Sequence, residues 1–160
     1  MMKKKIVNIL MLLVISLMTF SCSKDEVVTE QPLEVNPITM QGTWKLAELN
    51  GEQLPEDFYI YVVFDRKGNF EMYQKHDSMY PRYITGTYSI EKDDHYGYIL
   101  SGEYDYENGD WNNKYVVTDL LESGSMIWTV KDGDEVSKYV RVDEVPEEII
   151  KAAKVDEDEE

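Results

Sequence analysis

Residues 58–75 read FYIYVVFDRKGNFEMYQK and predict a β-hairpin. The first seven residues alternate between two sets of side chains, and this period of two gives a strand two distinct faces. Residues 65–69 form a short polar connection in which Gly68 can adopt the positive φ that a hairpin with a bulge requires. The alternation resumes after the connection, so the stretch contains two adjacent antiparallel strands.

The two faces of this hairpin carry different side chains. Phe64, Phe70 and Met72 share one face, which we expect to point into the core. The opposite face carries a set of three tyrosines: Tyr59, Tyr61 and Tyr73. If that face is exposed, the tyrosines form an aromatic patch suited to contact with a protein or a glycan. The alternative is that their rings pack across strands while the hydroxyl groups stay in water.

Short strands of the same kind recur on both sides of the hairpin. Turn dipeptides such as Asn50-Gly51 and Asp132-Gly133 separate several of them. The eight predicted strands are 42–46, 58–64, 70–75, 83–90, 96–104, 115–121, 126–131 and 136–142. The sequence therefore predicts an all-β fold, an eight-stranded antiparallel up-and-down barrel. At eight strands, side chains or one small ligand can fill the interior.

The N-terminus resembles a bacterial lipoprotein signal. Lysines at positions 3–5 precede an apolar run over 6–20, which is shorter than the ~20 residues that a membrane-spanning helix needs. Ser21-Cys22 follows directly and resembles a lipobox, whose cysteine is lipidated after the signal is cut. Cys22 is the only cysteine of the chain, so no disulfide framework exists. The alternative is an ordinary secretory signal with an incidental cysteine.

The four residues after Cys22 bear on location. They read SKDE and resemble the export signal of Bacteroidota surface lipoproteins. We therefore expect a lipid anchor in the outer membrane with the domain at the cell surface, and a periplasm-facing anchor is the alternative.

The chain divides into four predicted segments. They are a signal peptide (1–21), the lipidated cysteine with a flexible tether (22–39), the barrel (40–142), and a short helix with an acidic tail (143–160). Pro146 suits a first helical turn. Ile149, Ile150 and Ala153 would give that helix a small apolar stripe that can pack on the barrel.

Net charge restricts the class of partner. The chain carries 32 acidic and 16 basic residues, a net charge of −16, and the signal peptide holds three of the basic ones. The electrostatic field of such an acidic chain repels nucleic acid, and the sequence has no stripe of basic residues that would attract it. We therefore predict no nucleic-acid partner.

Several segments in order are similar to the lipocalin-like domain common in Bacteroidota lipoproteins. They are GTWKL (42–46), YVVFDRKGNF (61–70), GTYSI (86–90), MIWTV (126–130) and KYVRV (138–142). The resemblance implies an eight-stranded barrel with an interior cavity and no assigned chemistry. Gly42 and Trp44 match the GxW opening of lipocalins, which implies that Trp44 packs across the base of the barrel.

Two functions follow from such a barrel. A binding module would hold a small apolar or amphipathic ligand against inward side chains, with these candidates: Phe64, Phe70, Met72, Tyr88, Met126 and Trp128. If the same side chains fill the interior, the barrel is an accessory module that contacts a protein or glycan through its loops and outer tyrosines. A connected apolar cavity of at least ~300 Å³ would favour the first function.

The sequence shows no pattern typical of a catalytic site or a metal site. The acidic loop 103–111 offers oxygen ligands, but its spacing does not match an EF-hand, so we predict no metal. Trp111 in this loop is either a surface contact at a pocket rim or an edge-packing residue. His76 and His95 lie in predicted loops beside acids, and no nucleophile elbow is present. We expect no enzyme activity and no cofactor.

Overall fold

The computed structural model describes residues 30–76, 79–106 and 109–154. The predicted signal peptide, Cys22 and the acidic tail from residue 155 lie outside the described residues. Nine strands and two helices follow one another along the described chain: α1 (Pro37–Met40), β1 (Gly42–Leu49), β2 (Glu52–Gln53), β3 (Tyr59–Phe64), β4 (Asn69–Lys75), β5 (Arg82–Asp93), β6 (Gly97–Tyr104), β7 (Tyr115–Thr118), β8 (Ser125–Val130), β9 (Val136–Val142) and α2 (Glu147–Lys154). Neither helix in these ranges has the length and apolar character needed to cross a membrane.

The strands form one closed sheet. Each strand from β3 to β9 pairs antiparallel with the next, and β1 pairs with both β3 and β9. The two-residue strand β2 pairs with the end of β1 alone, so eight strands make the wall. Closure leaves no long exposed edge in that wall. The predicted eight-stranded antiparallel barrel with a short C-terminal helix is confirmed.

The hairpin of β3 and β4 has the predicted register and turn. Val62 lies opposite Met72 and Phe64 opposite Phe70, and all four side chains are buried in the core. Gly68 has a φ of 89° in the connection. The Asp65 carboxylate accepts hydrogen bonds from the backbone of the same turn, so local polar chemistry shapes the hairpin.

Strand β7 is shorter than the predicted span 115–121. It ends at Thr118 because Asp119 adopts a φ of 49°, a left-handed conformation that turns the chain out of the sheet. Leu120 is nevertheless fully buried, and its carbonyl accepts a hydrogen bond of 2.7 Å from the backbone of Leu33. The predicted strand reached residue 121 because residues 120 and 121 are apolar. In the structure the side chain of Leu120 enters the core from the loop after β7.

The segment before β1 packs against the barrel. Leu33 and Val35 join the core, and the side chain of Asn36 caps α1 by accepting from two backbone N–H groups. Met40 is fully buried, and its carbonyl accepts the indole N–H of Trp44 at 2.8 Å. The flexible tether predicted over 22–39 therefore does not extend through its C-terminal part, because a few apolar side chains without periodicity still find core contacts.

Helix α2 lies on the outer wall of the barrel. Its buried Ala153, with Ile149 and Ile150, packs on a cluster that includes Tyr61 and Tyr73. This docking agrees with the predicted apolar stripe. The two tyrosines are only 6% and 4% exposed, so they do not form an exposed contact patch, and the alternative of packed rings describes them. The helix covers them because their rings supply an apolar surface on the outer wall.

The third tyrosine of the expected patch has the same surroundings. Tyr59 is partly buried and packs against the cluster beneath α2. It therefore offers less contact surface than the sequence suggested.

Candidate functional site at the barrel mouth

The two ends of the barrel differ. At one end, Met40, Trp44 and Arg141 close the interior, and the first two are fully buried. At the opposite end a cleft of about 170 Å³ opens between the start of β3, the end of β4 and the connection from β6 to β7. We call this opening the mouth cleft. Here the described side chains leave room inside the wall of the barrel.

The predicted ligand contacts divide between the filled core and the cleft. Phe64, Phe70, Tyr88 and Met126 are buried in the packed core. The Phe64 and Tyr88 rings lie 4.7 Å apart, and the Tyr88 hydroxyl donates to the carbonyl of Asp65 at 2.6 Å. These four side chains fill the interior between the closed end and the mouth cleft, which agrees with the alternative of a filled interior.

Met72 and Trp128 line the mouth cleft, and their contact with a ligand stays a prediction. Trp128 lies at the centre of an aromatic group. The centroid of its ring is 4.3 Å from that of Tyr139, 5.4 Å from that of Tyr115 and 6.0 Å from that of Trp111. With Tyr104, which is 6.5 Å from Trp111, five aromatic rings border one small space.

Trp111 belongs to the floor of this cleft. Only 9% of the residue is exposed, so of the two alternatives for Trp111 the packed one describes it and it is not a surface contact. Its ring lies directly on Gly102, where a Cβ atom would come within 2.3 Å of an indole carbon. The absence of a side chain at Gly102 therefore lets the loop residue Trp111 enter the barrel.

The rim of the cleft is polar but carries no charge. Three amide side chains line it, from Gln74, Asn112 and Asn113. Burial raises the pKa of Tyr115, a hydrogen bond with Asn113 acts in the opposite direction, and the negative charge of Glu135 raises it further. Burial also raises the pKa of Tyr139, with smaller contributions from Tyr115 and Glu135. Both phenols are therefore neutral near pH 7.

A larger groove of about 330 Å³ lies over the outside of β5 and β6. Its walls include the Ser89 and Ser101 hydroxyls, which hydrogen-bond to each other at 3.0 Å, and the carboxylates of Glu103 and Asp110. This groove is mostly polar, and the two aromatic residues that border it, Tyr88 and Trp111, both belong to the buried core. The mouth cleft is lined by five aromatic residues, so it offers a ligand more aromatic rings than this groove does.

The acidic loop and the histidines do not converge on a site. Asp105 accepts a hydrogen bond from Thr85, and Asp93 caps the turn that contains His95. Within residues 30–76, 79–106 and 109–154, no three His, Cys, Asp or Glu side chains lie close enough to hold a metal ion.

Sequence reasoning missed most of the cleft. The missed residues are Ile60, Gln74, Tyr104, Asn112, Asn113, Tyr115 and Tyr139. They come from five strands and one loop, so no local pattern joins them. The available signal was the long connection between β6 and β7, which has an aromatic residue on either side and contains Trp111-Asn112-Asn113.

The comparison with protein families gives one match. The model of the lipocalin-like domain matches residues 40–128, which include the GxW opening and strands β1 to β7. No curated protein and no solved structure matches the chain.

Proposed function

Because the chain belongs to the lipocalin-like domain family, we propose that it is a membrane-anchored binding module for a small apolar or amphipathic ligand. The observation that carries this proposal is the mouth cleft, where five aromatic rings and three amides border the open part of the barrel. Apolar walls with a few convergent polar groups are typical of ligand sites.

The volume of the cleft limits the size of the ligand. At about 170 Å³ it does not reach the ~300 Å³ that would favour a ligand cavity by volume, so the proposal rests on the aromatic and amide lining and not on size. It is close to the ~150 Å³ of an engineered cavity that binds benzene. The ligand, or the part of it that enters, is therefore no larger than one ring or a short branched group.

The anchor and the location rest on the sequence. Cys22 follows an apolar run and is the only cysteine, and SKDE follows it. We place the protein on the outer membrane, facing outwards, with a lipid on Cys22. Replacing Cys22 with alanine should move the protein from the membrane fraction to the soluble fraction, and retention in the membrane would contradict the anchor.

The module is proposed as non-catalytic. The described lining of the mouth cleft holds no histidine, cysteine, serine, lysine or carboxylate side chain. Tyr115 and Tyr139 have raised pKa values and stay protonated, so they are poor general bases at neutral pH.

A second candidate function has its own support. Three large apolar or aromatic side chains project from loops, with exposures of 81% for Met79, 66% for Tyr80 and 56% for Tyr106. Such loops suit contact with a partner protein or a glycan. In this alternative the barrel is an accessory module and the mouth cleft has no ligand.

Native mass spectrometry of the protein purified from its own host separates the two functions. A retained small-molecule adduct that is lost on denaturation would support the binding module and name the ligand class. Tyr115→Ala should abolish the adduct, whereas Tyr96→Ala, at an exposed turn outside the cleft, should retain it. A bare mass would favour the accessory module, and cross-linking on intact cells would then identify its partner.

A further inference from the structure

We propose that the indole ring of Trp111 occupies the place of the ligand and leaves it when the ligand, a flat aromatic molecule of two fused rings, binds. This inference rests on the proposed binding function and names the ligand class for the same site. Three observations carry it: the surroundings of the indole ring, its attachment to the barrel, and the volume that it fills.

The indole ring of Trp111 is surrounded as a bound aromatic molecule would be. Its centroid is 6.0 Å from that of Trp128, and the two ring planes are inclined by 29°. The ring of Phe70 meets it edge to face, with the centroids 5.2 Å apart. Stacked and edge-to-face contacts are the arrangements that aromatic pairs prefer. The place that holds the indole therefore suits any flat two-ring molecule of similar size.

Trp111 is attached to the barrel by few hydrogen bonds. Its backbone N–H donates to the carbonyl of Gly102 at 2.8 Å, and the neighbouring residues Glu103 and Asp110 form an isolated β-bridge. By contrast, strand β5 pairs with β6 along the whole of β6. The indole N–H of Trp111 is buried and has no acceptor among the described residues. A buried donor without an acceptor costs free energy, which the ring recovers when it moves into water.

The indole ring also fills volume that the mouth cleft lacks. The cleft measures about 170 Å³ with the ring in place, and Trp111 borders the larger groove over β5 and β6 as well. A cavity of ~150 Å³ holds a benzene ring, and an indole ring is larger. Departure of the indole would therefore bring the cleft to the ~300 Å³ of a ligand site. The limit of a single ring holds only while Trp111 stays inside.

A reversible disulfide tests whether Trp111 must move. The backbone hydrogen bonds on either side of Glu103 and Asp110 make them a non-hydrogen-bonded antiparallel pair, whose Cα atoms lie ~4.5 Å apart. This separation suits a disulfide, so a double variant with Glu103→Cys and Asp110→Cys can be closed by oxidation and opened by dithiothreitol. The closed disulfide keeps the Trp111 side chain on the inner face. Glu103→Cys alone is the matched control and also reports any pairing with Cys22.

The probes are 2-naphthol, which is flat, and decahydro-2-naphthol, which has the same carbon skeleton without flat rings. Each is titrated by calorimetry into the full-length protein in detergent, with detergent alone as the blank. 2-Naphthol should bind the reduced double variant about tenfold more tightly than the oxidised one, because only the reduced protein reaches the open state. The single variant should bind equally before and after reduction. The saturated probe should bind about fivefold more weakly than 2-naphthol, since it cannot stack on Trp128.

A second variant removes the ring that has to leave. 2-Naphthol should bind Trp111→Ala about tenfold more tightly than the unmodified protein, because no side chain must be displaced first. Tyr96→Ala, at an exposed turn outside the cleft, should bind like the unmodified protein. Binding to Trp111→Ala together with no binding to the unmodified protein would show that the indole stays inside, and would overturn the inference.

The remaining outcomes separate this inference from the proposed function. Equal affinity of the oxidised and reduced double variant would mean that Trp111 does not leave, so the inference would be wrong and the binding module would stand. Equal affinity of the two probes would overturn the flat aromatic class. If neither probe binds any variant, the inference fails. Native mass spectrometry of the host-purified protein then decides the binding function separately, since a retained adduct supports it and a bare mass overturns it.

Discussion

The guanidinium group of Arg141 lies over the indole ring of Trp44, with its central carbon 4.2 Å from the ring centroid. The same group donates hydrogen bonds to the carbonyls of Thr39 and Gln41. Arg141 thus joins β9 and β1 to the segment that includes α1. Gly42 makes this arrangement possible, because a Cβ atom there would come within 2.5 Å of the guanidinium. The GxW pattern therefore closes one end of the barrel.

Arg141→Lys should destabilise the protein by about 2 kcal/mol. Lysine cannot reproduce the planar stacking on Trp44 or donate in two directions to the backbone carbonyls. Urea unfolding of the variant measures the loss. Arg66→Lys is the matched control, since Arg66 is exposed and its guanidinium donates to the side chain of Gln41. Equal stability of the two variants would contradict this role for Arg141.

Gly102→Ala should disturb the mouth cleft. The new methyl group would meet the ring of Trp111, which must move, at a cost of about 1–3 kcal/mol. Tryptophan emission should shift to the red as Trp111 becomes hydrated. Gly133→Ala is the control, because its methyl group would meet only the side chain of Val130. Unchanged emission in Gly102→Ala would show that Trp111 does not lie on Gly102.

Ala153→Asp should detach α2 from the barrel. Ala153 is buried against the cluster of Tyr61 and Tyr73, and a carboxylate there would lose its hydration without gaining a partner. We expect a loss of about 2–3 kcal/mol and faster amide hydrogen exchange in α2. Ala152→Asp places the same charge on the exposed side of the helix and should have little effect. Similar exchange in both variants would contradict the docking.

Stability should fall at alkaline pH through buried tyrosines. Burial, followed by the charge of Asp65, raises the pKa of Tyr88 to about 12. The pKa values of Tyr73 and Tyr139 are raised as well, mainly by burial. Because deprotonation is harder in the folded state, the stabilisation is complete below the ordinary pKa near ~10 and is lost as pH rises through about 12. Urea unfolding between neutral and alkaline pH, with tyrosinate absorbance, measures this loss.

Tyr88→Phe is the variant that tests the alkaline effect. It removes the hydroxyl that donates to the Asp65 carbonyl, so stability at neutral pH should drop by about 1 kcal/mol. Above the ordinary tyrosine pKa, the free energy of unfolding should decrease less steeply with pH than in the unmodified protein, because one titrating group is gone. An unchanged alkaline slope would mean that Tyr88 titrates alike in the folded and unfolded states.

Local patterns predicted the barrel because strand formation and turns depend on neighbouring residues. The alternation over 58–75 and the glycine in its turn correspond to the observed hairpin, and the eight barrel strands lie near their predicted positions. The errors in strand ends also have local causes. The left-handed conformation of Asp119 ends β7 before Leu120, although the apolar composition continues.

The candidate site was predicted less well than the fold. All six candidate residues face the interior as expected, but only Met72 and Trp128 line the cleft. Phe64, Phe70, Tyr88 and Met126 lie in the filled part of the core. A period of two assigns a side chain to a face of the sheet. It does not say how far along the barrel axis the interior stays open.

The sequence by itself determined the strands, their turns, the inward and outward faces, the docking helix and the acidic charge. All of these depend on residues close together in the chain. Only the tertiary structure decided that Tyr61 and Tyr73 are covered, that Trp111 rests on Gly102, and that Arg141 closes one end on Trp44. The physical reason is that burial depends on which distant segments reach the same place, and sheet closure settles that through the register of every strand pair.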